Sequence, residues 1–463
     1  MTGPAAKRIR DAALSLRGKR VVVAGLGFFG GGAAAARYLV EQGADVLVTD
    51  LRSEQDMVDS LRSLEGLELS LQLGSHDTTD FVEADLVVAN PAIPFRSEYL
   101  QACVSADVPL TTEVGLFLGA FPGRSIAVTG TSGKTTTTTL IGEMMSNAVP
   151  DTIVGGNMGV SMLPQLASSN EHTTAVLELS SFQLRYLDMM AWRPDIAVVT
   201  NIAPNHLDVH DGLDDYVTCK QALLRHQASG DIAVLNTEDD VWHWETGPGV
   251  ERRGFGLSPT DRPGVYVEGE RIVRRESIDR EICSLSDLMI PGRHNQANAC
   301  AAASASRAAG VRLDIIAEVL VTFQGVAHRL ERCGVVNGVA FYNDSIATSP
   351  ERTMVAIDAL DQPIVLIAGG SGKGLDYSDL GKAIDRSVKH VILIGETAGE
   401  IERSVSGPVV ERASSLEQAV RRAVDAAEAG DAVLLSPASA SYDMFTNFEE
   451  RGLRFKDLLA ALQ

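Results

Sequence analysis

The segment Ala127-Val128-Thr129-Gly130-Thr131-Ser132-Gly133-Lys134-Thr135-Thr136 constrains this chain more than any other. A β-branched run enters a glycine loop, the loop ends in Gly-Lys-Thr, and a helical pattern follows. Successive backbone N–H groups of such a loop form an anion nest, the lysine lies against the outer phosphates, and the next hydroxyl serves Mg2+. Gly130, Thr131, Ser132, Gly133, Lys134, Thr135 and Thr136 are therefore expected to hold ATP. The loop is a shortened form of the usual pattern, because Val128 stands where a first glycine is customary.

A strand that feeds a phosphate loop belongs in a parallel sheet with helices on its faces. The rest of the sequence has that rhythm, which predicts an α/β fold. Short apolar runs at 21–24, 45–49, 86–89, 125–129, 174–178, 196–200, 232–236, 339–342, 364–368, 390–394 and 432–435 alternate with longer amphipathic stretches. The Gly-, Pro- and charge-rich stretch 247–269 predicts a looser peripheral β insert. With 463 residues and roughly 150 per domain, about three domains are expected. Glycine-centred restarts near 110–114 and 324–327 suggest boundaries that give domains 1–112, 113–326 and 327–463.

Other residues fall where ligands bind in such sheets. Gly25-Leu26-Gly27-Phe28-Phe29-Gly30 is a full G-x-G-x-x-G between a strand and a helix, and Asp50 closes the next strand. Taken alone, that turn suggests a nicotinamide-dependent oxidoreductase, with the acid accepting hydrogen bonds from a ribose. Any other nucleotide could use the same turn. Glu178, His206, Asp208 and Lys220 follow consecutive strands of the central region, where carboxylate and imidazole complete Mg2+ coordination. Each has a plain structural alternative: a cap for Glu178, a loop histidine for His206, a solvated helix lysine for Lys220. Gly369 to Gly374 resembles a phosphate loop, but Gly374 follows Lys373 where a hydroxyl residue is required, so a carboxylate site fits better. Lys373 would supply charge there, and Ser441, expected at a helix N-terminus, a second donor.

Composition narrows the partners. The formal charge of −21, from 40 basic and 61 acidic side chains, repels phosphate backbones and makes nucleic acid an unexpected partner. Five scattered cysteines with no Cys-x-x-Cys pair suggest reduced thiols and a cytoplasmic protein. The glycines of 21–36 interrupt the one run that resembles a signal-peptide core, so no membrane insertion is expected.

Together, GTSGKTT, LELSSFQL, the NH-x-D segment, the downstream helix lysine, the run from Pro291 to Asn298, HRLE, YNDS and LSPASASYDMFTNFEERG resemble the Mur ligases of peptidoglycan synthesis. The likeness runs in order across nearly the whole chain. It implies an N-terminal Rossmann-like domain for a UDP-sugar, a central P-loop ATPase-like domain with a mostly parallel sheet, and a C-terminal Rossmann-like domain for an amino acid. The implied reaction is ATP-dependent amide formation through an acyl phosphate, joining D-glutamate to UDP-N-acetylmuramoyl-L-alanine, in the service of cell-wall growth, cell shape and division. The same chemistry with L-glutamate is the alternative within the family. A scaffold that only binds the UDP-sugar is the alternative outside catalysis.

By the same resemblance, Lys134, Glu178, His206 and Lys220 carry catalysis, and Thr135, Glu178, His206 and Lys220 serve two Mg2+ ions, with Lys220 carbamylated. Asn295, Asn298, Arg329 and Asp344 join the phosphate loop in ATP binding. Gly27, Phe28, Phe29, Gly30, Asp50, Arg52, Asn90 and Asn157 face the UDP-sugar, and Thr348, Lys373, Ser441 and Phe448 the amino acid. A monomer is expected. The chain departs from the family at Asn90-Pro91-Ala92, where Ser-Pro-Gly is usual, at Leu51 for Thr, at Asn205 for Asp, and at Ile346, where lysine is frequent.

Overall fold

The computed structural model describes residues 4–26, 30–158, 161–205, 209–372 and 375–462. Three sheets organise them. The first contains β1 (Arg20–Ala24), β2 (Asp45–Asp50), β3 (Ser70–Leu73), β4 (Leu86–Ala89) and β5 (Leu110–Thr111), in the all-parallel order 3-2-1-4-5. The second contains β6 (Arg124–Thr129), β7 (Thr152–Gly156), β8 (Thr174–Glu178), β9 (Ile196–Val199), β10 (Ile232–Asn236), β11 (Glu251–Gly256), β12 (Gly264–Glu268), β13 (Arg271–Arg275) and β14 (Arg280–Ser284), ordered 14-13-12-11-10-9-6-8-7. The third contains β15 (Glu331–Val336), β16 (Val339–Asn343), β17 (Ile364–Gly369), β18 (Val388–Ile394), β19 (Val409–Arg412) and β20 (Ala432–Leu435), ordered 15-16-20-17-18-19, with only β15 antiparallel to its neighbour.

Each of the eleven apolar runs forms a strand. β4, β8, β9, β17 and β20 are buried at every position, as strands covered by helices on both faces must be. The stretch expected to be a loose insert differs. β11 and β12 continue the central sheet in parallel, and β12, β13 and β14 then run antiparallel at its edge. Its glycines mark close backbone approach: a Cβ on Gly264 would meet the Gly254 carbonyl at 2.0 Å. The strands Ser70–Leu73 and Thr152–Gly156 lack a continuous apolar face, with half-exposed or exposed positions throughout the first, which is why periodicity missed them.

The chain forms two compact units, Met1–Leu285 with Ala297–Val319, and Ser286–Gln296 with Leu320–Gln463. The first unit holds two of the sheets, because they share one core. The helix Glu113–Ala120, EVGLFLGA, buries Val114 to Leu118 in succession, and these residues join Val21, Val23 and Val88 of the first sheet and Ala127 and Leu177 of the second in one apolar cluster. The apolar helix between the first two sheets is thus a piece of core. The second unit packs its sheet between two apolar layers, one led by Leu366, Leu380 and Leu434, the other by Ile367, Val420 and Phe455.

Phe117 is fully buried in the shared core and stacks on Phe121 at a ring-centroid distance of 5.0 Å. Phe117→Ala should cost ~3–5 kcal/mol of stability, lost transfer energy plus a cavity, measured by urea unfolding. A change below about 1 kcal/mol, the scale of a well-tolerated core swap, would show that this helix does not hold the shared core.

Candidate active site

In the central sheet β6 lies between β8 and β9, so Thr129, Glu178 and Val199 end side by side at one edge, with Val128 opposite Glu178 and Thr129 opposite Val199. That is the switch point at which open α/β sheets bind ligands. The chain leaves β6 at Gly130 (φ 145°), reaches Gly133 in the left-handed conformation (φ 80°), and begins the helix Lys134–Ala148. Both glycines are required by space as well as backbone angle. A Cβ on Gly130 would lie 1.9 Å from Thr200 Oγ1, and one on Gly133 would lie 2.2 Å from Asn298 Oδ1.

The neighbours that crowd the loop also hold it. Thr200 Oγ1 donates to the Ser132 carbonyl at 2.6 Å, the Asn201 carboxamide accepts from Ser132 N–H and donates to its carbonyl, and Asn201 O accepts from Thr131 N–H, each at 3.0 Å. Thr131 Oγ1 and the Tyr216 hydroxyl are 3.0 Å apart. Thr200, Asn201 and Tyr216 were not singled out from sequence; the polar step after the apolar run AVV, in Thr200-Asn201, was the available signal. Lys134 turns its ammonium over the loop and donates to the carbonyls of Gly130 (3.1 Å) and Thr131 (3.0 Å).

Glu178 is buried at the end of β8 and organises one side of the loop. Its Oε2 accepts from Thr135 Oγ1 at 2.6 Å and its Oε1 from Asn157 Nδ2 at 2.9 Å. The Asn157 backbone N–H reaches the Glu178 carbonyl as well. Glu178 and Thr135 thus bring hard oxygen donors together at the foot of the loop, the donor type that Mg2+ takes.

Lys220 closes the other side from the helix Leu213–Arg225. It is 1% exposed, donates to the Gly130 carbonyl at 2.7 Å and to Thr129 Oγ1 at 3.4 Å, and lies 4.7 Å from the centre of the Tyr216 ring. Burial, and then repulsion by Lys134, push its pKa down to about 7. The solvated helix lysine considered from sequence is therefore excluded. Asn298, nearly buried on the helix Arg293–Ala308, meets the loop from above and accepts from Thr137 Oγ1 at 3.5 Å. The structure thus gathers Lys134, Thr135, Glu178, Asn157, Lys220 and Asn298 around Gly130 to Gly133.

At the first sheet, Asp50 accepts from Leu26 N–H (2.9 Å), Arg52 N–H and the Arg52 guanidinium (2.8 and 3.0 Å). Burial by itself would raise its pKa, but the Arg52 hydrogen bonds and charge outweigh it, leaving the carboxyl below its ordinary value. Asn90, at the end of β4, donates to the Gly25 carbonyl at 3.2 Å. In the second unit, Asn295 donates to the Pro291 carbonyl at 2.7 Å, and Arg329 bridges Val326 through the backbone. Asp344 is buried after β16, accepts from Ser436 Oγ at 2.7 Å and Leu330 N–H at 3.0 Å, and has its pKa raised by burial to about 7. Thr348 and Phe448 are partly buried and Ser441 is buried.

Ser441 differs from its expected place. The last helix, Phe448–Ala460, starts seven residues later under an Asn447 cap, and Ser441 instead opens a tight turn in which its carbonyl accepts from Met444 and Phe445. Proximity to the helix in sequence, without the cap residue, misled the expectation. Gly27, Phe28, Phe29, His206, Asp208 and Lys373 lie outside the described residues.

Known proteins resemble this chain over nearly its whole length. Residues 19–112 match the Mur ligase MurD-like N-terminal domain, 128–306 the Mur ligase middle domain, and 328–439 the Mur ligase glutamate ligase domain. The UDP-N-acetylmuramoylalanine–D-glutamate ligase of Roseiflexus sp. is 39% identical, covering 96% of this chain and 99% of that protein. That of Symbiobacterium thermophilum is 39% identical, covering 96% and 98%. In fold, the UDP-N-acetylmuramate–alanine ligase of Thermotoga maritima is similar, with a TM-score of 0.60 at 19% identity over 96% of this chain and 100% of that one. With phosphate loop, buried carboxylate and buried lysine gathered at one sheet edge, and identity of this extent to its members, the chain belongs to the Mur ligase family.

Proposed function

We propose that this chain joins D-glutamate to UDP-N-acetylmuramoyl-L-alanine with ATP, a step of peptidoglycan-precursor synthesis and the activity for which its curated relatives are named. The observation that carries the reading is the gathering of Lys134, Thr135, Glu178 and Lys220 around a braced phosphate loop. A carboxylate is a poor electrophile; transfer of the γ-phosphoryl group to it removes its charge and creates a leaving group. The glutamate amine then attacks the acyl carbon, forming the amide and releasing phosphate.

Each residue has a defined task in this scheme. Loop N–H groups other than those of Thr131 and Ser132, which Asn201 holds, meet phosphate oxygens, and Lys134 swings from two loop carbonyls to the outer phosphates. Thr135 and Glu178 offer oxygens to Mg2+, with His206 and Lys220 completing the metal side. Mg2+ supplies neutralisation of phosphate charge when bound. Asn295, Asn298, Arg329 and Asp344 contact the nucleotide, Asp50, Arg52, Asn90 and Asn157 the UDP-sugar with the glycine turn, and Thr348, Lys373, Ser441 and Phe448 the amino acid. The corresponding domains are 1–112, 113–326 and 327–463. The five free cysteines fit a reducing cytoplasmic setting, and we place the enzyme there as a monomer.

Lys220 carries a carbamate in this reading. Its amine is largely neutral above pH 7, so the lone pair is free to attack CO2, forming an N–C bond and releasing one proton. The product is an anion in place of an ammonium that Lys134 repels.

Three outcomes test the proposal. Purified protein with Mg-ATP and UDP-N-acetylmuramoyl-L-alanine should release phosphate and form the amide with D-glutamate; product with L-glutamate alone would reassign the amino acid. Lys134→Ala should lower turnover by about 100-fold or more, the scale of a lost charge-stabilising contact, with its thermal midpoint little changed; near-normal turnover would refute the phosphate-loop role. With 13C-bicarbonate, a carbamate resonance should grow as pH rises from 6 to 8, because neutral amine increases through that range, and should vanish in Lys220→Arg. An identical resonance in that variant would overturn the assignment to Lys220.

A further inference from the structure

Arg451 lies on the last helix with 1% exposure, the largest fully buried side chain among the described residues. Its guanidinium makes an unusual set of bonds. Nε donates to Ser345 Oγ at 2.9 Å, Nη2 to the carbonyls of Ser345 (2.8 Å) and Ser439 (3.3 Å), and Nη1 to the carbonyls of Ser439 and Ala440, both at 3.2 Å. These acceptors are neutral oxygens on two loops that follow adjacent strands, β16 and β20.

The bonds continue outward from each acceptor. Ser345 Oγ donates to the Phe448 carbonyl at 2.8 Å. The Ala440 carbonyl also accepts from Ser371 N–H at 2.9 Å, tying in the loop after β17. Gly370 (φ 155°) is held so close that a Cβ there would lie 2.1 Å from the Ala440 oxygen and 3.2 Å from Arg451 Nη1. One planar, fixed fork of donors therefore sets the spacing of three segments: Ser345, Ser439 with Ala440, and Gly370 with Ser371. Lysine cannot replace it, because an ammonium is a single donor centre.

We propose that Arg451 is a positioning residue for the amino-acid pocket, acting through the backbone that carries Ser441 and Phe448. The inference rests on the reading of those residues as the glutamate pocket. Ser441 directly follows Ala440, and the Phe448 carbonyl is one hydrogen bond from Ser345. The guanidinium touches none of the reactants in this account; it fixes the loops from which Ser441 and Phe448 extend.

The test compares Arg451→Ala, Arg451→Lys and Ser441→Ala in the full-length protein, by kcat, by KM for D-glutamate and for the UDP-sugar substrate, and by thermal midpoint. Both Arg451 variants should raise KM for D-glutamate by about tenfold or more, the scale of losing charged hydrogen bonds, while KM for the UDP-sugar substrate stays within about twofold. Millimolar guanidinium should lower the raised KM of Arg451→Ala but not of Arg451→Lys, whose side chain fills the space. Should Arg451→Ala fail to fold, Arg451→Lys alone decides by the same KM comparison. A lowered thermal midpoint with KM for D-glutamate unchanged, or no response to guanidinium, would make Arg451 merely structural and overturn the proposal. Unchanged KM in Ser441→Ala would instead overturn the pocket reading on which it rests, and a raised KM in Ser441→Ala alone overturns the Arg451 proposal alone.

Discussion

The contact between Lys220 Nζ and the Gly130 carbonyl, 2.7 Å long and nearly closed to water, is the constraint around which the central sheet is arranged. Burying an ammonium among neutral oxygens costs several kcal/mol even after relaxation. That cost is what lowers the pKa to about 7, and it is offset in part by two oxygen acceptors and by the face of Tyr216. Each device needs the loop in one conformation, with Gly130 at a backbone angle closed to other residues and its carbonyl turned inward. Thr200, Asn201 and Asn298 then fit only as they are, since two of them occupy the volume of the missing Cβ atoms. A loop held from so many sides keeps one conformation before any ligand arrives, which is the condition for electrostatic preorganisation.

The parts of this arrangement that were legible in sequence are those written in consecutive residues. A strand, two glycines, Lys-Thr and a helix are a local pattern, and β4, β8, β10 and β20 occupy the residues their apolar runs mark. The bracing of the loop was not legible, because Thr200, Asn201 and Tyr216 approach it only after the chain has crossed the sheet. Arg451 escaped for a related reason. It stands in Phe448–Ala460 among Glu449, Glu450, Arg454 and Lys456, where one charge more reads as a solvated face, and only the packed structure separates it from its exposed neighbours. The insert at 247–269 failed in the other direction: glycines taken as signs of looseness are positions where Gly254 and Gly264 bring two parallel strands together.

The glycine turn of the first sheet shows how similar motifs diverge by their surroundings. In a dinucleotide site the acid at the end of the second strand needs free lone pairs for ribose hydroxyls. Asp50 has both oxygens engaged, by Leu26 N–H on one side and by Arg52 along its whole edge. Its charge is thereby matched inside the protein by the Arg52 guanidinium. That pairing counts against a ribose-accepting acid at this edge, the feature a nicotinamide site requires.

Two buried groups, one in each unit, carry the same economy further. Asp344 has a folded pKa of about 7 against an ordinary value of 3.8, so its burial stabilises the protein most below pH 4, and that contribution is lost as pH rises to 7. Lys220 runs oppositely, from 10.5 down to about 7, so its contribution is full only above 10.5 and is lost as pH falls to 7. The two losses overlap near neutrality, where each group is poised between charged and neutral forms in a buried space. A protein selected for stability alone would place apolar residues at both positions. Each group therefore marks a place where the fold forgoes stability near neutral pH, Lys220 beside the glycine loop and Asp344 after β16.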